Sequence, residues 1–160
     1  MARPALPFSH PVVWLSTWFG CGLAPVAPGT VGSLAALPLA WLSVRFGGTL
    51  ALQIVTAVVL LVGIKATAVY ARAAGVVDPS EAVIDEVAGQ CLTLTVVPLA
   101  PLPYLIGFLL FRLFDVTKPF PIGWLERKLP GGYGIMLDDV AAAFYAMIVY
   151  RLGSYVLGVA

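Results

Sequence analysis

The stretch EAVIDEVAGQCLTLTVVPLAPLPYLIGFLLFRLFDVTKP, residues 81–119, decides the fold. Acids stand toward its two ends, Asp85-Glu86 on one side and Asp115 on the other, and Pro98, Pro101 and Pro103 interrupt the apolar run between them. Proline fixes φ and removes an N–H donor, so this triple break ends one helix and starts the next. Both arms are short beside the roughly 20 apolar residues that a bilayer crossing needs. Such a pair forms slightly immersed spans or a re-entrant hairpin that enters and leaves from one face. In both arrangements the acids lie at the helix ends nearest water.

Composition supplies the setting. Of 160 residues, 61% are hydrophobic and 11% charged, with a mean hydropathy of +0.99. A soluble domain is typically about 45–50% apolar and about 25% charged, so lipid is part of this chain's solvent. The length fits a single domain over residues 1–160. A formal charge of +1 and the absence of a basic block give no reason to expect nucleic acid. Cys21 and Cys91 stand alone in apolar surroundings, as buried free thiols do. His10 is the one histidine, too little imidazole and sulfur for a zinc site. The N-terminus, with Pro4, Pro7 and Pro11, lacks the pattern of a signal peptide.

Working outward, residues 12–19 read as a short interfacial segment and 20–33 as a Gly- and Pro-rich loop. Thr30 is placed to cap a helix running to about 44, and a second apolar helix covers 50–64, continuing in more polar form to a stop at Gly75. Asp78-Pro79-Ser80-Glu81 reads as the start of a helix to about 97, with Glu81 and Asp85 one turn apart on one face. A further helix spans about 104–116. The stretch 119–128 reads as interfacial, and Gly131-Gly132-Tyr133-Gly134 as a flexible loop before a final helix, 135–157, long enough to cross. The expected fold is all-α, a compact integral-membrane helical bundle with short or re-entrant hairpin helices. Lys65, Arg72, Arg112, Lys118, Arg127 and Lys128 share the acids' regions, which puts that face in the cytoplasm.

Five of the eight acids fall at Asp85-Glu86, Asp115 and Asp138-Asp139. Ionisable groups held next to hydrocarbon are functional candidates. Carboxylates without histidine suit a hard cation such as Mg²⁺. Asp85, Glu86, Asp138 and Asp139 are the candidate metal ligands, with neighbours diverging by about 100° around a helix. The plainer reading of Asp138-Asp139 is charge placed near a helix start, where the macrodipole favours it. Arg112 and Lys118 flank Asp115 at three-residue spacing, as phosphate-docking cations or as ordinary ion pairs. Pro28 to Ser33 offers backbone N–H groups, Thr30 and Ser33 to an anion, or simply a capped turn. The arginine of cysteine phosphatases, a histidine pair, an Asp-x-Asp pair and a Gly-x-Ser-x-Gly elbow are all missing.

FGCGLAPVAPGTVGSLAALPLAWL (19–42), EAVIDEVAGQCLTL (81–94) and FRLFDVTKPFPIGWLERKLPGGYGIMLDDVAAA (111–143) resemble the phosphatidylglycerophosphatase A family, in order and over nearly the whole chain. The resemblance implies a small helical bacterial membrane enzyme that uses Mg²⁺. Its activity would be removal of the terminal phosphate from phosphatidylglycerophosphate, giving phosphatidylglycerol, at the cytoplasmic (inner) membrane. It makes Asp85, Glu86, Asp115, Asp138 and Asp139 the catalytic acids, with Lys118 the matching cation and Thr30 and Ser33 in the Gly-rich loop. Cys21 replaces a serine frequent in the family, and Thr117 a tryptophan; neither touches the acids. Other readings are a phosphatase of a different lipid phosphomonoester and a non-enzymatic membrane protein. A CDP-alcohol phosphotransferase would need an Asp-Gly-x-x-Ala-Arg signature that is absent.

Overall fold

A computed structural model describes residues 6–129 and 131–158, without the side chains of 125–127, so the lead-in before residue 6 and the Glu126-Arg127 side chains lie outside the described residues. Every described element is helical: α1 (Pro11–Ser16), a 3-10 turn (Cys21–Leu23), α2 (Pro28–Ala74), α3 (Ile84–Leu94), α4 (Pro101–Thr117), α5 (Ile122–Lys128) and α6 (Gly131–Leu157). Helix starts follow local chemistry. Pro28 and Pro101 occupy first-turn positions where no N–H is needed, and the His10 side chain accepts from Val12 N–H at 3.2 Å to cap α1.

Helix α2 is two arms rather than one rod. Gly48, at φ 69° and ψ −174°, is non-helical inside it, a conformation that glycine adopts without a Cβ penalty. Gly29 packs on Glu86, and Gly63 packs on Ile84 and Met136. In a straight helix those two glycines would be about 50 Å apart, yet Ile84 and Glu86 are neighbours on α3. The chain therefore reverses at Gly48, and both arms of α2 pass beside the start of α3. The sequence reading of a Gly-broken pair of apolar helices holds here.

Among the described residues, α2 is the one helix long and apolar enough to cross a membrane by length and composition. Its apolar side chains face outward: Leu42, Leu50, Ile54, Val58 and Leu61 are exposed, as are Leu105 and Leu109 on α4 and Ile148 and Leu152 on α6. Apolar rows on three helices at once suit a lipid surround. Four buried hydroxyls are satisfied within their own helices, Ser33 donating to the Gly29 carbonyl, Thr56 to Leu52, Thr67 to Gly63 and Thr93 to Gly89. That economy is what a solvent without hydrogen bonds demands. Helix α6, expected to span alone, has 27 residues but carries Asp138, Asp139 and Arg151 along it.

Three local expectations are corrected. Helix α3 begins at Ile84, not Asp78. Ala82 N–H closes a turn onto the Pro79 carbonyl at 2.9 Å, and Val83 N–H is taken by the Ser16 carbonyl at 2.8 Å, so the segment docks on α1 instead of coiling. Glu81 and Asp85 therefore do not share a helical face. The cap of α2 is Ala27, in the left-handed region, which leaves Thr30 inside the first turn. Finally, Gly131–Gly134 is the first turn of α6 rather than a loop, because Gly132 approaches the Ile64 carbonyl and Thr67 too closely for a side chain. Both thiols are free, Cys91 buried and Cys21 partly exposed.

That approach makes a stability test. Gly132→Ala would push a methyl into the Ile64 carbonyl, and overpacking of this kind costs about 1–3 kcal/mol. Gly153, with nothing within 4 Å of its missing Cβ, is the control. Thermal unfolding in detergent should show a lowered midpoint for Gly132→Ala and none of that loss for Gly153→Ala.

Candidate active site

Helix α3 is the post around which the acids gather. It has 11 residues, about 16 Å of rise and too short to cross a bilayer. Its first turn presents Asp85 and Glu86. Gly89 lets α4 and α6 close on it, since a Cβ there would meet Phe111 at 2.6 Å and the Asp139 carbonyl at 3.0 Å. This packing brings Asp139 of α6 to the acids of α3. One carboxylate oxygen from each of Asp85, Glu86 and Asp139 lies within 4.8 Å of the others.

The five acids divide into two kinds. In the trio, Asp85 Oδ1, Glu86 Oε2 and Asp139 Oδ2 are buried without a hydrogen-bond partner. Leaving a buried charged acceptor unpaired is costly, and three together add mutual repulsion of roughly 3 kcal/mol per ionised pair at this spacing and an effective dielectric near 20. The other two face cations. Asp115 holds Arg112 one turn away on α4. Asp138 Oδ2 accepts from Lys118 Nζ at 2.8 Å, and Asp138 Oδ1 accepts from the Asp139 N–H at 3.0 Å.

Lys118 reaches Asp138 because it ends α4 in the left-handed conformation, at φ 41°. A non-glycine residue held there is uncommon and marks functional sites. Arg112 reaches across to α2, its Nη1 lying 3.3 Å from Ser33 Oγ. Ser33 spends its own proton on the Gly29 carbonyl, so it can only accept from Arg112. Thr30 is half-buried, and its hydroxyl has no hydrogen bond among the described residues. Of the nine residues singled out in the sequence, eight are thus tied into one assembly through these contacts and the electrostatic coupling of Asp115 and Asp138 to the trio. Thr30 stands apart.

The sequence reading missed Gly29. It counted residues 28–33 as N–H donors, whereas a Cβ on Gly29 would collide with Glu86 Oε1 and sit 3.3 Å from Arg112 Nη1. A glycine in a helical first turn with no turn to make was the available signal. A cavity of about 600 Å³, lined by residues including Arg72, Val76, Gly132 and Tyr133, includes none of the nine.

Burial lifts the titration of the α3 pair. Asp85 is raised well above the usual carboxylate range by burial, then by the adjacent Glu86 charge. Glu86 is pushed up to about 7, chiefly by burial, with its hydrogen bond to Asp85 opposing, Asp115 adding and Arg112 opposing. Once ionised, the five carboxylates outnumber the two cations and repel a phosphate dianion unless more positive charge arrives. The donor set is all oxygen, unpartnered and converging, and it fits a hard divalent cation.

The chain is similar to known proteins over most of its length. The family model for phosphatidylglycerophosphatase A matches residues 14–154. The chain is 39% identical to phosphatidylglycerophosphatase A of Escherichia coli over 160 residues, covering 97% of this chain and 91% of the relative. It is 40% identical to phosphatidylglycerophosphatase A of Haemophilus influenzae over 141 residues, covering 88% and 86%. A Bacteroides thetaiotaomicron protein with the provisional name phosphatidylinositol-3-phosphatase is 34% identical over 166 residues, covering 99% and 100%. No solved structure matches. The chain belongs to the phosphatidylglycerophosphatase A family and is a phosphatase.

Proposed function

We propose that this phosphatase removes the terminal phosphate of phosphatidylglycerophosphate, releasing phosphatidylglycerol and inorganic phosphate at the cytoplasmic face of the bacterial inner membrane. The observation that carries the reading is the trio of unpartnered, buried carboxylate oxygens set beside two acid-held cations. Asp85, Glu86 and Asp139 would hold the metal, Mg²⁺. When bound, Mg²⁺ polarises the phosphoryl oxygens and lowers the pKa of coordinated water.

The chain's own residues divide the remaining work. Lys118 and Arg112 neutralise the phosphate dianion and fix its orientation. Asp138 and Asp115 hold those cations in place, so they act as positioning residues. Gly29 keeps the first turn of α2 against Glu86, where backbone N–H groups favour negative charge. The acyl chains stay among the outward apolar rows, and the headgroup alone reaches the acids. The Bacteroides relative's name supports a second reading, a different lipid phosphomonoester as substrate. Phosphate release from phosphatidylglycerophosphate, phosphatidic acid and phosphatidylinositol 3-phosphate, with Mg²⁺ and with EDTA, separates the two. Release from phosphatidylglycerophosphate alone, and only with Mg²⁺, is expected. Preference for another headgroup overturns the substrate, and full activity in EDTA overturns the metal.

The raised Glu86 carboxyl also gives stability a pH dependence. Without metal, the folded protein holds a proton on Glu86 up to about pH 7, whereas the unfolded chain releases it near 4.5. Between those values the folded state binds more protons, so stability falls as pH rises across the window. Mg²⁺ requires the deprotonated carboxylate and reverses the trend. Melting in EDTA should therefore lose midpoint from pH 5 to 7, and Mg²⁺ protection should grow over the same range. A flat profile in EDTA contradicts this.

A further inference from the structure

The seam between the first arm of α2 and α4 is pinned at two levels. At the site, Arg112 Nη1 meets Ser33 Oγ at 3.3 Å; deeper, the Trp41 and Tyr104 rings meet edge-on at 5.2 Å. At the deeper level the seam opens outward as an apolar groove of about 320 Å³ lined by Leu37, Pro38, Trp41, Pro101, Tyr104 and Leu105. The Tyr104 hydroxyl is buried, so the groove is offered its ring rather than its polar tip. Nothing charged lines it.

We propose that this groove holds one acyl chain of the lipid substrate while its headgroup occupies the acid site; the proposal rests on the phosphatase reading above. Continuity is the first argument. Leu105 lies seven residues from Arg112 along α4, and Leu37 four from Ser33 along α2, so the groove starts about 6–10 Å below the Arg112–Ser33 contact. That is within the roughly 15 Å depth of one leaflet's hydrocarbon. Leu34 and Leu109, both exposed, lie on the same two helices between the cations and the groove. Charge is the second argument. The Arg112 guanidinium stands where the seam meets the site, the level at which a phospholipid's anionic headgroup joins its chains.

The seams of α4 with its other neighbours are closed, and a groove along α6 is wrongly oriented. Between α4 and α6, Phe114 stacks on Tyr145 at 5.4 Å, and Phe111 packs with Ala142, Ala143 and Ala146. Leu94 and Val97 fill the space over Gly107 between α3 and α4. A second outward groove, about 340 Å³ and including Val96, Phe144, Ile148 and Arg151, runs along α6. Its one cation lies twelve residues beyond Asp139, about 18 Å from the acids, at the end where a chain tail rather than a headgroup would arrive.

The test uses the purified full chain and two phosphatidylglycerophosphates, dihexanoyl and dipalmitoyl. Leu105→Trp and Leu37→Trp fill the groove without touching the acids. For dipalmitoyl substrate, kcat/KM should fall about tenfold, the worth of roughly two buried methylenes. For dihexanoyl substrate it should stay within about twofold, since a six-carbon chain hardly enters. Equal loss on both substrates, or no loss on either, overturns the proposal. A phosphatidylglycerophosphate with a diazirine at mid-chain gives a readout independent of turnover. Crosslinks should concentrate on peptides holding Leu37–Trp41 and Pro101–Leu105; concentration on Phe144–Leu152, or even spread, overturns it. If wild type hydrolyses neither substrate, the phosphatase reading fails, and the crosslink map still decides the groove.

Discussion

Asp139→Asn is expected to lower phosphate release by about a thousandfold or more while leaving the bundle folded. The metal reading asks a bound cation to supply several kcal/mol of charge stabilisation, and each 1.36 kcal/mol is tenfold in rate. Asp139 is 3% exposed, and its Oδ2 has no hydrogen-bond partner, so the folded protein gains nothing from its charge. Asparagine keeps the shape and removes repulsion within the trio. The metal-free variant should melt at or above the wild-type midpoint, and Mg²⁺ should no longer raise it. Asp85→Asn should behave alike, whereas Glu81→Gln, on the segment before α3, should leave both activity and Mg²⁺ protection intact. Near-normal turnover in Asp139→Asn would remove the trio from the chemistry. A collapse of its melting midpoint would make the residue structural instead.

Lys118→Met should reduce kcat/KM by roughly a hundred- to a thousandfold, the usual effect of deleting one donor aimed at developing charge. It should also cost stability, because the Asp138 side chain is 8% exposed and loses the cation at 2.8 Å; breaking a fully buried ion pair costs about 3–5 kcal/mol, and the 29% exposure of the Lys118 side chain and the Asp139 N–H on Asp138 make the figure smaller here. The two effects separate in the double variant Lys118→Met/Asp138→Leu. Stability should recover in part and activity should not. If the single variant loses stability but keeps kcat/KM, the pair is scaffolding. Lys118→Arg should fall between, since the charge survives but the compact ammonium does not.

The acids and cations were legible because charge stands out against a chain that is 61% hydrophobic. The two-arm α2 was legible from Phe46-Gly47-Gly48-Thr49 and the stop at Gly75, both chemistry local to the backbone. The start of α3 was not. Asp78-Pro79 carries good helix-start chemistry, but the Ser16 carbonyl competes for the Val83 N–H, a contact across 67 positions of sequence that no local signal announces. The same holds for Gly131–Gly134, which reads as a loop until Ile64 and Thr67 are seen to need the space.

Within the site, the sequence could name Asp138-Asp139 but not assign them. Neighbouring residues on a helix differ by about 100°, and the orientation of α6 against α3 decides which one turns to the trio. Gly89 sets that orientation by admitting Phe111 and the Asp139 carbonyl. Asp139 then joins Asp85 and Glu86, and Asp138 meets Lys118. Sequence spacing set Asp115 between Arg112 and Lys118, three residues to either side, and left its partner open. The left-handed backbone at Lys118 turns it to α6 instead, and Asp115 keeps Arg112.

The proposed mechanism stands on one divalent cation held jointly by Asp85, Glu86 and Asp139. Mn²⁺ binding to the purified chain, followed by its paramagnetic resonance and displaced by Mg²⁺, tests it most directly. The expected result is saturable binding that Asp85→Asn, Glu86→Gln and Asp139→Asn each weaken by tenfold or more, and that Lys118→Met leaves in place. Unchanged binding in all three carboxylate variants, or no saturable site in the wild type, would contradict the account.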